Sequence, residues 1–330
     1  MFLFWIILSF TLLWGLRYDV GIDYLSYENI FIQNIKYGEV GYKVIENITR
    51  SLGNEFYIVT LITSFLTIIP IAGYFYNSEY NMKTLKLGNI ILYLSEFGSC
   101  TANLMRQGVA MSLFMLATQF YVNKKYKLFV IIILIGLLFH KSIILAVPLF
   151  ILIDYIKISR MQGFILVVGT YIAKFFISYT DILLSLLKLI NNLYPSYNYK
   201  RVLEYASTAT TNRINIGILV YIFIFLLVIV QQKKINLNGK LYLFSILIRI
   251  FSTHNFIFNR IGFYFILFIV PFFMDYLKME YINKKNKIKT IKIVIVLMII
   301  LFIKQGYFSS VESKNLYKNI IIEKINGNLD

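Results

Sequence analysis

The sequence predicts an all-α, polytopic integral membrane protein, with about 10–11 transmembrane or half-membrane helices around an outward-facing cavity. Hydrophobic residues make up 58% of the 330 residues, far more than one soluble core requires. They occur in runs of helical length, and the loops between the runs are short and rich in lysine. Since the sequence shows no internal repeat and no soluble domain, we expect one transmembrane domain over residues 1–330.

The candidate membrane helices are apolar segments bounded by polar loops. Several are shorter than the about 20 residues that cross a bilayer, so tilted, broken or protein-shielded helices are expected. The first segment lacks a basic leading region and a small-x-small cleavage pattern, which predicts a retained helix rather than a signal peptide. In chain order the segments are 1–16, 56–76, 87–97, 104–122, 128–140, 142–153, 163–178, 214–230, 241–252, 261–274 and 291–303.

The formal charge of +17 is concentrated in short loops between apolar segments. Lysine clusters at 123–127, 231–240 and 275–289 indicate cytoplasmic loops. A nucleic-acid surface would need a soluble basic face, which no segment is long enough to form. We therefore expect contact with membrane lipids and no nucleic-acid partner.

The apolar stretch 128–153 is interrupted by His140 and Lys141. If it formed one helix, the two later lysine-rich loops would face outside, against the positive-inside bias. A turn at His140 returns all lysine-rich loops to the cytoplasm, so we predict a recessed outer turn there. This topology places the N-terminus in the cytoplasm and three polar segments outside: about 17–55, 179–213 and 305–330.

The first outer loop carries Asp23, Tyr24 and Tyr27 close together. In a helix, Asp23 and Tyr27 share a face. This pattern fits either a solvated amphipathic loop helix or a sugar-binding surface, in which carboxylates bind hydroxyls and tyrosine rings stack on sugar faces. No compact cluster of oxygen ligands is present, and Cys100 is the single cysteine, so no metal site is predicted.

Three arginines lie in or beside apolar segments. Arg106 and Arg260 are predicted to open inward-running helices, with Asn103 and Asn259 as caps and Tyr264 one turn beyond Arg260. An arginine at a helix start suits a phosphate or pyrophosphate, whereas the alternative is an arginine that snorkels to the interface. Arg249 is either functional or paired with a carboxylate, because an isolated charge there is costly.

His140 is an ionisable group at membrane depth, where it could transfer protons near neutral pH or be structural. Lys141 beside it would attract anions.

The order of these motifs resembles the EpsG family, the Wzy-like membrane proteins of exopolysaccharide, capsule and O-antigen assembly. The motifs are RxxxxxDYxxY from Arg17, then Glu39 and Tyr42, Arg106-Gln107, FHKS at 139–142, and Arg260 with Tyr264. The resemblance implies a membrane glycosyltransferase that polymerises undecaprenyl pyrophosphate-linked oligosaccharide units at the outer face of a bacterial inner membrane. It implies no cofactor. Partners would be other polysaccharide assembly proteins, such as a flippase or a chain-length regulator.

Catalysis is accordingly expected from His140, Asp23 or Glu39. The candidates for substrate binding are Arg17, Tyr24, Tyr27, Arg106, Gln107, Lys141, Arg249, Arg260 and Tyr264. Two alternatives remain: a membrane acyltransferase that modifies a surface glycan, and a polysaccharide flippase or other transporter without catalysis.

Overall fold

The computed structural model describes residues 1–21, 23–35, 38–174, 216–251, 256–313 and 318–319. Within these ranges the regular secondary structure is helical apart from one short ladder, so the all-α prediction is confirmed. The helices are α1 (Phe2–Gly15), α2 (Tyr24–Ile32), α3 (Val40–Ser51), α4 (Phe56–Tyr76), α5 (Met82–Leu94), α6 (Phe97–Asn103), α7 (Met105–Val122), α8 (Tyr126–Phe139), α9 (Ile143–Tyr155), α10 (Arg160–Ala173), α11 (Ile216–Ile229), α12 (Leu237–Phe251), α13 (Phe256–Ile266), α14 (Ile269–Lys278) and α15 (Lys284–Ser313).

The ladder joins two distant parts of the chain. Strand β1 (Arg17–Tyr18) pairs antiparallel with β2 (Lys318–Asn319), and Arg17 lies opposite Asn319. The first predicted outer segment therefore lies beside part of the third. The second, 179–213, lies outside the described residues.

Some predicted segments have the wrong bounds. Segment 87–97 begins earlier, at Met82, because Asn81 caps α5 by accepting a hydrogen bond from the backbone N–H of Thr84 at 2.9 Å. Segment 261–274 is two helices, since the chain turns between Ile266 and Ile269. Segment 291–303 lies within α15, which also includes the lysine-rich stretch before it, because lysine is a good helix former.

The predicted turn at His140 is confirmed. Helix α8 ends at Phe139, and His140 is extended, with φ −158° and ψ 119°. Helix α9 then returns along α8. The ring centroids of Phe129 on α8 and Phe150 on α9 lie 6.4 Å apart, which shows this reversal.

Length and composition agree with a helical membrane protein. Among the described residues, Phe56–Tyr76 and Asn259–Lys278 are long and apolar enough to cross a membrane, although the second contains the turn between α13 and α14. Shorter apolar helices are Phe2–Gly15, Tyr126–Phe139, Ile143–Tyr155, Arg160–Ala173 and Ile216–Ile229. Helices of that length agree with the prediction of half-membrane elements.

The chain divides into two compact units, residues 1–150 with 267–330, and residues 151–266. In the first unit α4 packs against α1 and α7, and α7 against α8. Gly15 permits the close approach of α1, since a Cβ there would lie 2.8 Å from Cα of Leu61. The Thr60 hydroxyl donates to the Gly15 carbonyl at 2.6 Å. That a single transmembrane domain spans the chain stays a prediction.

In the second unit α12 packs against α10, α11 and α13. Helix α10 begins with a capping box between Ser159 and Gln162. The Lys240 ammonium group donates to the carbonyls of Ile153, Asp154 and Ile156 at 2.8–3.0 Å. These bonds satisfy carbonyls at the end of α9 that have no partner within the helix.

Candidate functional site

One carboxylate joins two of the predicted functional residues in the first unit. The guanidinium of Arg106 donates through Nη1 to Oε2 of Glu39, and Nδ1 of His140 lies 3.2 Å from Oε1 of the same carboxylate. The three side chains are 12–14% exposed, so the cluster is largely buried but reachable. We name Glu39, Arg106 and His140 the Glu39 cluster.

The local backbone directs Glu39 into the cluster. Glu39 precedes α3 in an extended conformation, with φ −77° and ψ 160°, and its side chain makes no capping hydrogen bond to the helix. Gly38 has φ +93°, a conformation that side chains other than glycine rarely adopt. A Cβ on Gly38 would also lie 3.1 Å from Nη1 of Arg106. Gly38 therefore provides both the turn and the space that the ion pair occupies.

Gly41 brings α3 against the end of α8. A Cβ at this position would lie 2.9 Å from the carbonyl oxygen of Leu138, which leaves no room for a side chain. Leu138 is two residues before His140. The close approach at Gly41 therefore sets the distance between Glu39 and His140.

Arg106 lies in the first turn of α7, as predicted, but the predicted cap is wrong. Leu104 is the N-cap, and Asn103 ends α6 because the chain forms a short helix before α7. The Arg106 guanidinium lies 5.9 Å from the ring centroids of Tyr27 and Tyr42. Aromatic faces next to a partly buried guanidinium stabilise its charge.

The electrostatics of Glu39 follow from its two neighbours. Burial opposes ionisation, but the hydrogen bond with His140 and the positive charge of Arg106 outweigh it and lower the pKa of Glu39 to about 2. Glu39 is thus an anion at neutral pH, and an anionic carboxylate only accepts hydrogen bonds. Nδ1 of His140 is therefore the donor in this contact.

Of the other predicted residues in the first unit, Tyr27 lies beside this cluster, with its ring 5.9 Å from the Arg106 guanidinium. Arg17 is 1% exposed, and its guanidinium donates to the carbonyl of Ala102 at 3.2 Å and lies 5.9 Å from the Tyr24 ring. Tyr24 and Tyr27 belong, with Tyr42, to one buried aromatic group. Asp23 is the N-cap of α2, and its carbonyl accepts from the Tyr27 amide at 3.0 Å.

Two further predicted residues lie next to members of the Glu39 cluster in the chain. Gln107 follows Arg106 and is buried, and Lys141 follows His140 and is exposed.

The remaining predicted residues belong to the second unit. Arg249 is buried, and its guanidinium lies 5.2 Å from the Tyr221 ring and 5.7 Å from the Phe263 ring. Arg260 does not open a helix, and Asn259 does not cap one, because α13 already begins at Phe256. Tyr264 is fully buried one turn beyond Arg260.

Sequence reasoning missed Glu46, which is 7% exposed on α3. The signal was available: Tyr42, Ile45, Glu46 and Thr49 recur at helical spacing and form the buried face of α3. No group of three or more histidine, cysteine, aspartate or glutamate side chains that could hold a metal occurs in the part of the chain described here.

Comparison with protein families identifies the family of the chain. The family model described as the EpsG family matches residues 1–319. The chain belongs to the EpsG family. This EpsG-family protein is thus a member of a membrane family related to polysaccharide biosynthesis. No curated protein and no solved structure matches it.

Proposed function

We propose that this EpsG-family protein polymerises undecaprenyl pyrophosphate-linked oligosaccharide repeat units at the outer face of a bacterial inner membrane. The observation that carries the proposal is the Glu39 carboxylate shared between Arg106 and His140. It places an oriented imidazole and a guanidinium together, next to aromatic side chains. Such a set suits a transfer reaction in which a hydroxyl loses a proton and a pyrophosphate leaves.

The proposed reaction forms one bond and breaks another. A hydroxyl oxygen of the acceptor unit attacks the anomeric carbon of the growing chain, and the bond from that carbon to the carrier pyrophosphate breaks. The hydroxyl proton passes to Nε2 of His140, whose Nδ1–H is held by Glu39. The electron pair of the broken bond leaves on the pyrophosphate.

Each member of the Glu39 cluster then has a separate role. Glu39 orients His140 and stabilises the imidazolium that forms. Because its pKa is lowered to about 2, Glu39 is a poor proton acceptor at neutral pH, and His140 is the better base. Arg106 shares its forked donors between Glu39 and a pyrophosphate oxygen. Exposed Lys141 adds a positive charge, and Arg249, Arg260 and Tyr264 stay candidates for carrier binding.

An outward-facing cavity at the Glu39 cluster is part of the proposal. The pairing of β1 with β2 supports it, because the predicted topology places both segments outside. The turn at His140 supports it as well, since a turn there allows all lysine-rich loops to be cytoplasmic.

Deletion of the gene followed by sizing of the lipid-linked glycans tests the proposed function. We expect single repeat units to accumulate outside, and the wild-type gene to restore long chains. A flippase would instead leave no units displayed outside, and an acyltransferase would leave chain length unchanged while an acyl group is lost. Either of those results would replace the polymerase proposal.

A further inference from the structure

Three polar side chains lie along the buried face of α3. Tyr42 and Thr49 are fully buried, and Glu46 is 7% exposed. Their spacing of four and then three residues places them in one row, which we name the α3 row. Across the described residues, no hydrogen-bond partner reaches Oη of Tyr42, Oε1 of Glu46 or Oγ1 of Thr49.

Such a row is unusual for a folded protein, because nearly all buried polar atoms have a hydrogen-bond partner. Each unsatisfied group destabilises the folded state, because it has lost its hydrogen bonds to water. Thr60 on α4 illustrates the ordinary arrangement, since its hydroxyl donates to the carbonyls of Gly15 and Tyr57. Three such atoms on one face of a helix indicate that a bound molecule supplies their hydrogen bonds.

The α3 row begins at the Glu39 cluster. The Tyr42 ring lies 5.9 Å from the Arg106 guanidinium and 5.8 Å from the Tyr27 ring. Glu39, the N-cap residue, is three positions before Tyr42 at the start of the same helix. A molecule bound along the row would therefore extend from the proposed reaction centre over Glu46 to Thr49.

The chemistry of the α3 row fits a sugar. Hydroxyl groups of tyrosine and threonine both donate and accept, and a carboxyl oxygen accepts. A sugar ring offers several hydroxyls on its rim, which can both donate to and accept from these groups. The row itself contains no cationic side chain, so it suits a hydroxyl-rich group better than a phosphate.

We propose that the α3 row is a binding subsite for one sugar ring of the lipid-linked repeat unit, with Oε1 of Glu46 accepting from a ring hydroxyl. The inference rests on the proposed polymerase function and deepens it. Burial raises the pKa of Glu46, while Arg50 opposes the shift. A hydrogen bond from a sugar hydroxyl would replace part of the hydration that the carboxylate lost.

The test uses a variant that replaces the polar groups by apolar ones of similar size: Tyr42→Phe, Glu46→Met and Thr49→Val combined. The probe is the oligosaccharide unit released from its lipid in cells that lack this gene. We expect the purified ligand-free variant to unfold at the same temperature as the wild type or higher, because the groups it loses lack partners. Its affinity for the oligosaccharide, measured by thermal shift, should fall about tenfold or more.

Two matched variants make the result specific. Thr60→Val removes a hydroxyl that has partners, so it should lower the unfolding temperature and keep the affinity for the oligosaccharide. Thr49→Val alone removes one of the three polar groups and changes the side-chain volume little. It should weaken binding without lowering the unfolding temperature.

The outcomes separate the subsite from the polymerase. Equal affinity of wild type and combined variant would overturn the subsite, as the row would then hold water only. A combined variant and Thr49→Val that both unfold below wild type would also overturn it. Binding of the lipid-linked unit without binding of the free oligosaccharide would reject the subsite and keep the polymerase. If wild type binds neither, and deletion of the gene leaves chain length unchanged, both proposals fail.

Discussion

Nδ1 of His140 lies 3.2 Å from Oε1 of Glu39, although 101 positions separate the two residues in the chain. The contact connects a turn between two apolar helices with the start of an amphipathic one. Since the carboxylate also accepts from Arg106, its charge is shared by a cation and a titratable ring. Three of the predictions below concern this arrangement directly.

Replacing His140 by glutamine keeps hydrogen bonding but removes proton transfer. We expect single repeat units to accumulate while the protein inserts at normal abundance, since general base assistance is typically worth about 10² to 10⁴ in rate. Glycan sizing in complemented deletion cells measures this. Lys127→Gln, on the exposed start of α8, is the control and should polymerise normally. A glutamine variant with normal chain length would remove His140 as the base and leave Asp23 as the next candidate.

Glu39→Gln should lower the unfolding temperature at pH 7, because the variant loses the ion pair with Arg106. The pKa of Glu39 falls from its ordinary value of 4.5 to about 2 on folding, so its contribution is complete above 4.5. It is lost as the pH falls through 2, and it amounts to at most about 3 kcal/mol. Thermal unfolding of both proteins between pH 7 and pH 2 gives the profile. A difference that stays constant across this range would contradict the ion-pair assignment.

Arg106→Lys should reduce polymer length nearly as much as Arg106→Ala. An ammonium group has no fork that reaches a carboxylate and a pyrophosphate together. Arg160→Lys, at an exposed position on α10, is the matched control and should have no effect. If Arg106→Lys retains full polymer length and amount, the arginine acts only as an interfacial anchor.

Gly41→Ala should separate α3 from the end of α8. The new methyl group meets the Leu138 carbonyl at 2.9 Å, so the helices must shift, at a cost of about 1–3 kcal/mol. Gly169→Ala is the control, because a Cβ there meets nothing within 4 Å and helical alanine is favoured over glycine by about 1 kcal/mol. Unfolding temperatures of the two variants should therefore move in opposite directions. Equal shifts would show that the contact at Gly41 does not limit the packing of α3.

Residues 153–160 and 284–289 should both lie on the cytoplasmic side. Single cysteines at Ser159 and Asn286, in a Cys100→Ser background, should resist a membrane-impermeant thiol reagent in intact cells and react in opened cells. The cytoplasmic location of both segments follows from the turn at His140 and from the positive-inside bias of lysine. Labelling of both from outside would reverse the topology and place the Glu39 cluster on the cytoplasmic side.

Hydropathy and the positive-inside bias of the lysine-rich loops predicted much of the local structure. They gave the bounds of α4 and the turn at His140, because a long apolar run and a charged pair within one are strong local signals. The break between Ile266 and Ile269 was missed, since the composition stays apolar across it. Arg260 was placed at a helix start for the opposite reason: its polar neighbours suggested a boundary where α13 continues.

The residues of the Glu39 cluster were each named from the sequence, but their contact was not. Arg106 and His140 are 67 and 101 positions from Glu39, and no local pattern encodes such distances. Glu46 was overlooked because a carboxylate in a polar loop segment is usually solvated. Its helical spacing with Tyr42, Ile45 and Thr49 was a signal, and the packing of α3 against α4 and α8 shows that this face is buried.

The pairing of β1 with β2 also determines when this part of the fold can form during synthesis. Arg17 leaves the ribosome about 300 residues before Asn319, its ladder partner. At a synthesis rate of about 5–20 residues per second, this interval lasts about 15–60 s. Helices α1 to α14 can insert and pack during that time, while the backbone of β1 still lacks its pairing strand. Closure of the ladder is therefore a late event in the biogenesis of the protein, and a pulse-chase measurement of protease resistance at the first loop would date it.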